Sequence, residues 1–177
     1  MAVMQRIREL LEPRDIPDQN EVVPAPTTTY RVKPLVASDL SSLMRLSVRC
    51  FRGSETYNRE TFEYLLREPK VLAYQAVTTK NDIVGFMFVL INKGQIAHVT
   101  TIAVAPEHRQ RGLARQLLSY AEKALISKKF ESIVLEVRVS NYPAQNLYSN
   151  QDFVIIQKLS SYYSDGEDAF LMSKSLV

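Results

Sequence analysis

The sequence is poor in cysteine and histidine, and this limits the metal and redox chemistry that it can support. Its 177 residues include one cysteine and two histidines. The single cysteine, Cys50, excludes a disulfide framework within this sequence and a cysteine-rich zinc site, and two histidines are too few for a multi-histidine centre. We therefore expect no metal. Cys50 ends the apolar helical pattern LMRLSVRCF, which favours packing over a nucleophilic role.

Long apolar runs and a strong charge of one sign are missing as well. The run IVGFMFVLI at residues 83–91 is far shorter than the ~20 residues that span a bilayer, and the first residues contain no apolar secretion signal. The net charge of +3 suits an anionic ligand but falls short of the basic stripes of nucleic-acid readers. We expect a cytoplasmic protein that contacts neither membrane nor nucleic acid directly.

The composition that remains is that of one globular domain. Hydrophobic residues make up 46% of the chain and charged residues 23%, which is enough to form a packed core. Residues 1–29 stand apart, because EPRDIPDQNEVVPAPTTT carries four prolines and no sustained periodicity. We expect residues 1–29 to be an extension, with a short helix at 1–12 before a linker, and residues 30–177 to form the domain.

Strand and helix patterns alternate along the first half of the domain. TYRVKPL predicts a strand, and a helix from an N-cap at Ser38 has four candidate core positions at Leu40, Leu43, Leu46 and Val48. Asn58 is placed to cap a short helix that ends before Pro69. The runs VLAYQAVTT and IVGFMFVLINK, joined by KND, predict a hairpin, and QIAHVTTIAV predicts a fourth strand.

The second half continues this alternation. A helix is predicted over 111–129, with an apolar face at Leu113, Leu117, Leu118, Ala121 and Leu125. SIVLEVRV predicts a fifth strand, and NYPAQNLYSNQ predicts a helix capped by Asn141. FVIIQKL and AFLMSKSL flank an Asp-Gly turn and predict a final hairpin. The whole is a mixed α/β domain with seven strands and about four helices.

The corner between the fourth strand and the long helix has the features of an anion site. The first N–H groups of a helix lack partners within the helix and lie at the positive end of its dipole. Gly112 allows backbone to approach an anion closely, and Arg109 and Arg111 add charged donors. We call residues 109–114, RQRGLA, the anion loop, and a diphosphate fits it best. The G-x-G-x-x-G and G-K-[ST] motifs of nucleotide sites are absent.

RQRGLA resembles the Q/R-x-x-G-x-G/A loop of the GCN5-related N-acetyltransferases (GNAT), which holds the pyrophosphate of acetyl-coenzyme A. LEVRVSNYPAQNLY and YYSDGEDAFLMSKSL are similar to the C-terminal half of the archaeal amino-terminal acetyltransferases and of the bacterial RimI type. The resemblance covers residues 30–176 and implies a mostly antiparallel sheet that splays between its fourth and fifth strands. Ala114 and Asp152 each stand where the family often has glycine, and Asp152 makes the local turn less certain to form.

The resemblance also implies where acetyl-coenzyme A binds. Its pantetheine arm is expected between the fourth and fifth strands, with amide hydrogen bonds to Ile102 and Val104, and its diphosphate at the anion loop. The implied cofactor residues are Ile102, Ala103, Val104, Arg109, Gln110, Arg111, Gly112, Leu113, Ala114, Arg115, Asn141 and Tyr148. An N-cap role accounts for Asn141 equally well.

Three residues are candidates for proton transfer. Glu136 interrupts an apolar strand, which fits either an outward-facing position or, by the resemblance, a general base. Tyr148 is either a core aromatic or, by the resemblance, the acid that protonates the coenzyme thiolate. His98 is either structural or a second base, since an imidazole suits proton relay.

The acceptor is implied to be an amine, most directly the α-amine of a protein N-terminus. An α-amino group has a reference pKa of ~7.7–8.0 against ~10.4 for lysine, so a modest base suffices. By the resemblance, peptide-binding residues are Glu55, Tyr57, Tyr162 and Tyr163, although surface packing also explains tyrosines. A lysine side chain or small amine is the alternative substrate, and a non-catalytic coenzyme-binding sensor or subunit is the alternative class. A ribosome-associated partner is left open.

Overall fold

Seven strands form one sheet in the order β1-β2-β3-β4-β5-β7-β6 in the computed structural model, which describes residues 22–51, 56–91 and 94–177. The strands are β1 (Tyr30–Pro34), β2 (Val71–Thr78), β3 (Ile83–Ile91), β4 (Ile96–Val104), β5 (Ser132–Arg138), β6 (Val154–Leu159) and β7 (Ala169–Ser175). Every neighbouring pair is antiparallel except β4 and β5. The predicted mixed, mostly antiparallel sheet is confirmed. The short helix expected at residues 1–12 lies outside the described residues.

Four helices accompany the sheet in the described ranges, as predicted. They are α1 (Leu40–Cys50), α2 (Arg59–Arg67), α3 (Leu113–Ser127) and α4 (Tyr142–Ser149). Asn58 caps α2 by accepting from the Thr61 N–H at 2.8 Å, and Asn141 caps α4 by accepting from the Ala144 N–H at 3.2 Å. Short 3-10 turns at Ala37–Asp39 and Pro106–His108 precede α1 and the anion loop.

The helices cover the two faces of the sheet. Phe86 of β3 packs against Phe62 of α2, with ring centroids 6.0 Å apart. Gly85, the preceding residue, faces the other way, because a Cβ built on it would lie 3.5 Å from Leu117 of α3. A strand covered on both faces needs apolar side chains throughout. This explains the uninterrupted IVGFMFVLI run, which is buried from Val84 to Leu90.

The sheet opens between β4 and β5. These strands pair in parallel only at Ile96 with Ser132, Ala97 with Ile133 and His98 with Val134. Beyond His98, β4 continues its pairing with β3 alone, and the register between the two shifts at Thr100. The result is the expected splay, with backbone groups of both strands facing a gap between them.

Two local predictions were wrong. Val48 is 54% exposed, because a helical period places it roughly 140° from the centre of the face formed by Leu40, Leu43 and Leu46. Ser47 takes the inward position instead. The helix begins after Asp39 and not after Ser38, since Asp39 accepts from the Val36 N–H at 3.1 Å and closes the preceding 3-10 turn.

Candidate active site

His98 and Glu136 meet where β4 and β5 part. His98 Nε2 lies 2.5 Å from Glu136 Oε2, and the two side chains are only 10% and 15% exposed. Glu136 is two residues past the last residue of β5 that pairs with β4. Its side chain alternates with the buried Leu135 and Val137, so it points to the face opposite α3. A carboxylate and an imidazole are side chains that can accept a proton, and here they are in contact and largely shielded from solvent.

Tyr57 forms one wall next to this pair. Its hydroxyl donates to the carbonyl of Thr100 at 3.0 Å, which is the residue at the irregularity in β4. Burial raises the pKa of the Tyr57 phenol; the hydrogen bond to Thr100 opposes the rise, and the nearby Tyr162 and Glu136 add to it. Tyr57 and Tyr162, predicted to bind substrate, are therefore brought to the same place as Glu136. Glu55 lies outside the described residues.

Arg138 holds the loop that carries Tyr162 and Tyr163. Its guanidinium carbon lies 3.8 Å from the centroid of the Tyr163 ring. Its Nη1 donates to Glu167 at 2.6 Å and to Asp165 at 2.9 Å. Tyr162 packs edge-on against Tyr163, with centroids 5.2 Å apart. Because Arg138 is two residues from Glu136 on β5, the same strand positions Glu136 and the tyrosine loop.

Tyr148 lies at the end of α4 and is buried. The helix closes with the Asp152 N–H donating to the Ser149 carbonyl and the Phe153 N–H donating to the Tyr148 carbonyl, at 3.1 Å each. This double closure brings the residue after the helix against the last turn, and the rings of Phe153 and Tyr148 are 5.8 Å apart. Asp152 adopts φ +65°, so the turn forms without glycine. Burial raises the pKa of the Tyr148 phenol, which keeps it protonated at neutral pH.

The anion loop presents the free N-terminus of α3. Gly112 is the N-cap residue at φ +74° and ψ +9°, and no side chain of the described residues caps it. Gln110 is also left-handed, at φ +59°. Leu113 is buried and anchors the helix, while Arg115 is exposed in its first turn. Backbone N–H groups at such a terminus bind phosphate oxygens well.

The other expected cofactor residues lie on β4, in and around the anion loop, and at the start of α4. Ile102, Ala103 and Val104 form the end of β4, past the last residue that pairs with β5. Arg109 Nε donates to the Val104 carbonyl at 3.2 Å. Ala114 is half-buried in the first turn of α3. Asn141, at the start of α4, uses its side-chain oxygen for the cap.

Arg111 has contacts that the sequence did not predict. Its guanidinium donates to the carbonyls of Ala25 and Pro26 and to the hydroxyl of Tyr30. The charged group expected to face a diphosphate is thus bound to the chain that precedes β1. Proline spacing marked that chain as extended, but nothing in it indicated which side chain it would meet.

Cys50 is unsuited to nucleophilic catalysis. Burial raises the pKa of its thiol to about 11, against the opposing effect of Arg109 and Arg49. Thiolate is therefore scarce at neutral pH. Within the described ranges, no group of three or more His, Cys, Asp or Glu residues is placed to hold a metal ion, and no helix there is both long and apolar enough to cross a membrane.

Comparisons with known proteins agree with this geometry. A family profile described as "Acetyltransferase (GNAT) family" matches residues 40–153. An N-alpha-acetyltransferase of Saccharolobus solfataricus is 38% identical over 117 residues, covering 59% of this chain and 70% of that protein. Another, of Sulfurisphaera tokodaii, is 31% identical over 162 residues, covering 83% of this chain and 93% of that protein. The crystal structure of the ribosomal-protein-S18-alanine N-acetyltransferase from Escherichia coli superposes with a TM-score of 0.75 at 25% identity, covering 84% of this chain and 94% of that chain.

The splayed sheet and the free helix terminus fit this family, and the profile together with the named relatives identifies the chain as an acyltransferase that uses acetyl-coenzyme A. The chain belongs to the acetyltransferase (GNAT) family, since the profile spans more than half of it. The family and fold expected from RQRGLA and LEVRVSNYPAQNLY are confirmed. The roles of individual site residues stay predictions.

Proposed function

We propose that the protein transfers the acetyl group of acetyl-coenzyme A to the α-amine at a protein N-terminus. The contact between His98 and Glu136 at 2.5 Å carries the proposal, because two groups able to accept a proton lie together at the narrow end of the gap, next to the expected position of the thioester. Tyr57 and the Tyr162–Tyr163 pair supply apolar walls with polar ends, which suit a short peptide terminus. The names of the two archaeal relatives support the same acceptor.

The coenzyme is held by main-chain groups. The N–H groups from residue 110 onward receive the diphosphate at the start of α3, and Arg115 adds charge. The edge of β4 from Ile102 to Val104 is not paired with β5, and its main-chain groups, apart from the Val104 carbonyl that accepts from Arg109, bind the amides of the pantetheine arm. The Asn141 side chain is fixed by its cap at the start of α4. These residues fit the ligand because they offer unpaired backbone donors and no acidic side chain within the loop.

The reaction proceeds by direct attack in a ternary complex. The neutral amine forms the new C–N bond, and its proton passes to Glu136, directly or through water, with His98 as the alternative acceptor. The C–S bond breaks, and the coenzyme thiolate takes the proton of the Tyr148 hydroxyl. An acyl-enzyme on Cys50 is not used, because its raised pKa leaves little thiolate.

Mass spectrometry of peptides incubated with the enzyme and labelled acetyl-coenzyme A tests the acceptor. Peptides with free N-termini should gain one acetyl group at the α-amine, and the same peptides with blocked N-termini should gain none. Acetylation only of a lysine in a blocked peptide, or only of a polyamine, would establish the alternative substrate class. A cytoplasmic location and any ribosome-associated partner stay predictions.

A sensor or partner subunit without catalysis makes a different prediction. Such a protein binds coenzyme A, but the double variant Glu136→Gln, Tyr148→Phe behaves like the wild type in every assay. An acetyltransferase loses turnover in that variant and keeps its affinity for the coenzyme. Turnover and coenzyme affinity, measured on both proteins, decide between the two classes.

A further inference from the structure

Residues 22–29, here called the N-terminal segment, run against the turn and loop that precede α3. The Ala25 N–H donates to the Glu107 carbonyl at 2.9 Å. Arg111 donates from Nη1 to the Pro26 carbonyl at 3.0 Å and from Nη2 to the Ala25 carbonyl. Ala25 is less exposed than its neighbours on either side. The segment is thus bound at three successive peptide groups.

The sequence of the segment suits this contact. Pro24 and Pro26 fix their own φ angles and keep Val23 and Ala25 extended, so little conformational freedom is lost on binding. An extended proline-rich chain cannot satisfy its own carbonyl groups. The two Nη groups of an arginine form a planar fork that reaches two such carbonyls together, which lysine cannot do.

The same cluster ties the segment to the rest of the fold. Arg111 Nη1 also donates to the Tyr30 hydroxyl at 2.7 Å, and that hydroxyl lies 3.0 Å from His108 Nδ1. Glu107 binds Arg49 of α1 at 2.5 Å. Arg109 and Gln110 are therefore flanked by residues with fixed contacts. Glu107 and His108 precede them, and Arg111 follows them.

The conformation of the anion loop needs such support. Gln110 and Gly112 flank Arg111 and both have positive φ, a region that side-chain-bearing residues adopt only when the surroundings enforce it. If Arg111 is released, Gln110 can relax, and the N–H groups at the start of α3 lose their common direction. A ligand then has to reorder the loop when it binds, which weakens its affinity.

We propose that Arg111 is a positioning residue for coenzyme binding, acting through the N-terminal segment and not through a contact with phosphate. The inference rests on the proposed coenzyme site at the anion loop. It assigns residues 22–29 a role in that site, where the proline pattern alone indicates a linker.

The test is a double-mutant cycle on the full-length chain, with coenzyme A binding measured by calorimetry. Arg111→Gln removes the fork. Ala25→Pro removes the N–H that donates to the Glu107 carbonyl, puts a ring carbon in its place, and so detaches the segment from the turn before the anion loop. Each variant should raise the Kd of coenzyme A by roughly five- to tenfold, and the double variant should be no weaker than either single one. Arg111→Lys should recover part of the loss, because it can reach one carbonyl.

Val23→Pro is the matched control, because Val23 is 78% exposed and precedes the same proline motif. It should bind coenzyme A like the wild type. Thermal melts check that each variant folds, and if Ala25→Pro does not, Pro26→Gly loosens the segment without adding bulk and takes its place. The KM for the peptide should not change in any of these proteins.

A direct phosphate contact predicts the opposite pattern. Arg111→Gln would then weaken coenzyme A binding by the same factor in the wild type and in the Ala25→Pro background, and it would reduce the salt dependence of the Kd. Ala25→Pro alone would not weaken binding. Any of these results overturns the proposal. The measurement reports coenzyme binding and not turnover. A protein that binds coenzyme A but leaves peptide N-termini unmodified would therefore disprove the proposed acceptor and leave the proposed role of Arg111 intact. A wild type that does not bind coenzyme A would disprove both.

Discussion

Glu136 Oε2 lies 2.5 Å from His98 Nε2 across the point where β4 and β5 separate. The two residues come from strands that are hydrogen-bonded for only three residue pairs. Their contact spans the narrow end of the gap, so a nucleophile entering there meets both groups together. We predict that the two groups act as one unit in accepting the proton of the amine, with Glu136 as the base and His98 as the alternative acceptor.

Glu136→Gln should lower kcat by roughly 10² or more, because the amide cannot accept the proton of the attacking amine. His98→Gln should cost less, and the double variant should be no slower than Glu136→Gln, since residues that work as a unit are not additive. Steady-state kinetics on the three variants checks this. Glu131→Gln is the control, because Glu131 is exposed just before β5. Additive losses would mean that the two residues act independently.

Tyr148→Phe should lower kcat by roughly 10²-fold with little change in either KM, because it removes the proton for the departing thiolate and keeps the ring. Burial raises the pKa of Tyr148. A raised pKa keeps the phenol protonated, so the wild type should show no loss of activity from this group between pH 7 and about 10. The pH profile of kcat tests this. Tyr142→Phe on the same helix, 68% exposed, should behave as wild type.

Arg138→Gln should raise the KM for the peptide by roughly threefold to tenfold and leave the KM for acetyl-coenzyme A unchanged. The reason is that the variant loses the stacking on Tyr163 and the ion pairs with Asp165 and Glu167 that hold the tyrosine loop. Arg138→Lys should recover little, because lysine has no planar group to stack. Arg67→Gln, exposed at the end of α2, is the control. Equal rises in both KM values would point to general loosening of the sheet.

Acid should weaken the fold through His108. Burial lowers the pKa of this imidazole; Glu107 and Asp82 oppose the shift, and Arg111 and Arg49 add to it. Its folded-state pKa lies below the unfolded value, so the unfolded chain binds more protons in this range and stability falls as pH drops below about 6.5.

His108→Gln keeps a polar partner for Tyr30 but does not titrate. The stability advantage of wild type over this variant should therefore shrink between pH 7.5 and 5, as measured by urea unfolding at each pH. An advantage that stays constant over this range would mean that His108 is not the titrating group.

Asp152→Gly should stabilise the protein by roughly 0.5 kcal/mol, because glycine adopts a left-handed φ without strain, though its freer unfolded state offsets part of the gain. Asp152→Ala should destabilise it, since alanine has the same steric cost without a polar side chain to compensate. Thermal unfolding ranks the three proteins. The order Gly, Asp, Ala is expected, and a glycine variant below wild type would show that the Asp152 side chain makes a stabilising contact of its own.

The local pattern of apolar and polar residues was sufficient to predict much of the fold. Alternating patterns, continuous apolar runs and helical patterns located the seven strands and four helices, because each element buries surface that its own residues define. Gly112 and the arginines around it indicated an anion site, since a helix terminus has that property in any fold. The prediction for Val48 was wrong because this residue is apolar, like the core residues of α1, but its position around the helix axis turns it away from the buried face.

Contacts between distant segments could not be predicted in this way. The chain by itself determined which stretches become strands or helices and where an anion can bind, because these depend on neighbouring residues. Tertiary structure alone decided that His98 meets Glu136, that Arg138 holds the loop of Tyr162, and that Arg111 turns to Ala25 and Pro26. Such pairs arise from strand order and from where β4 leaves β5, which no single segment encodes.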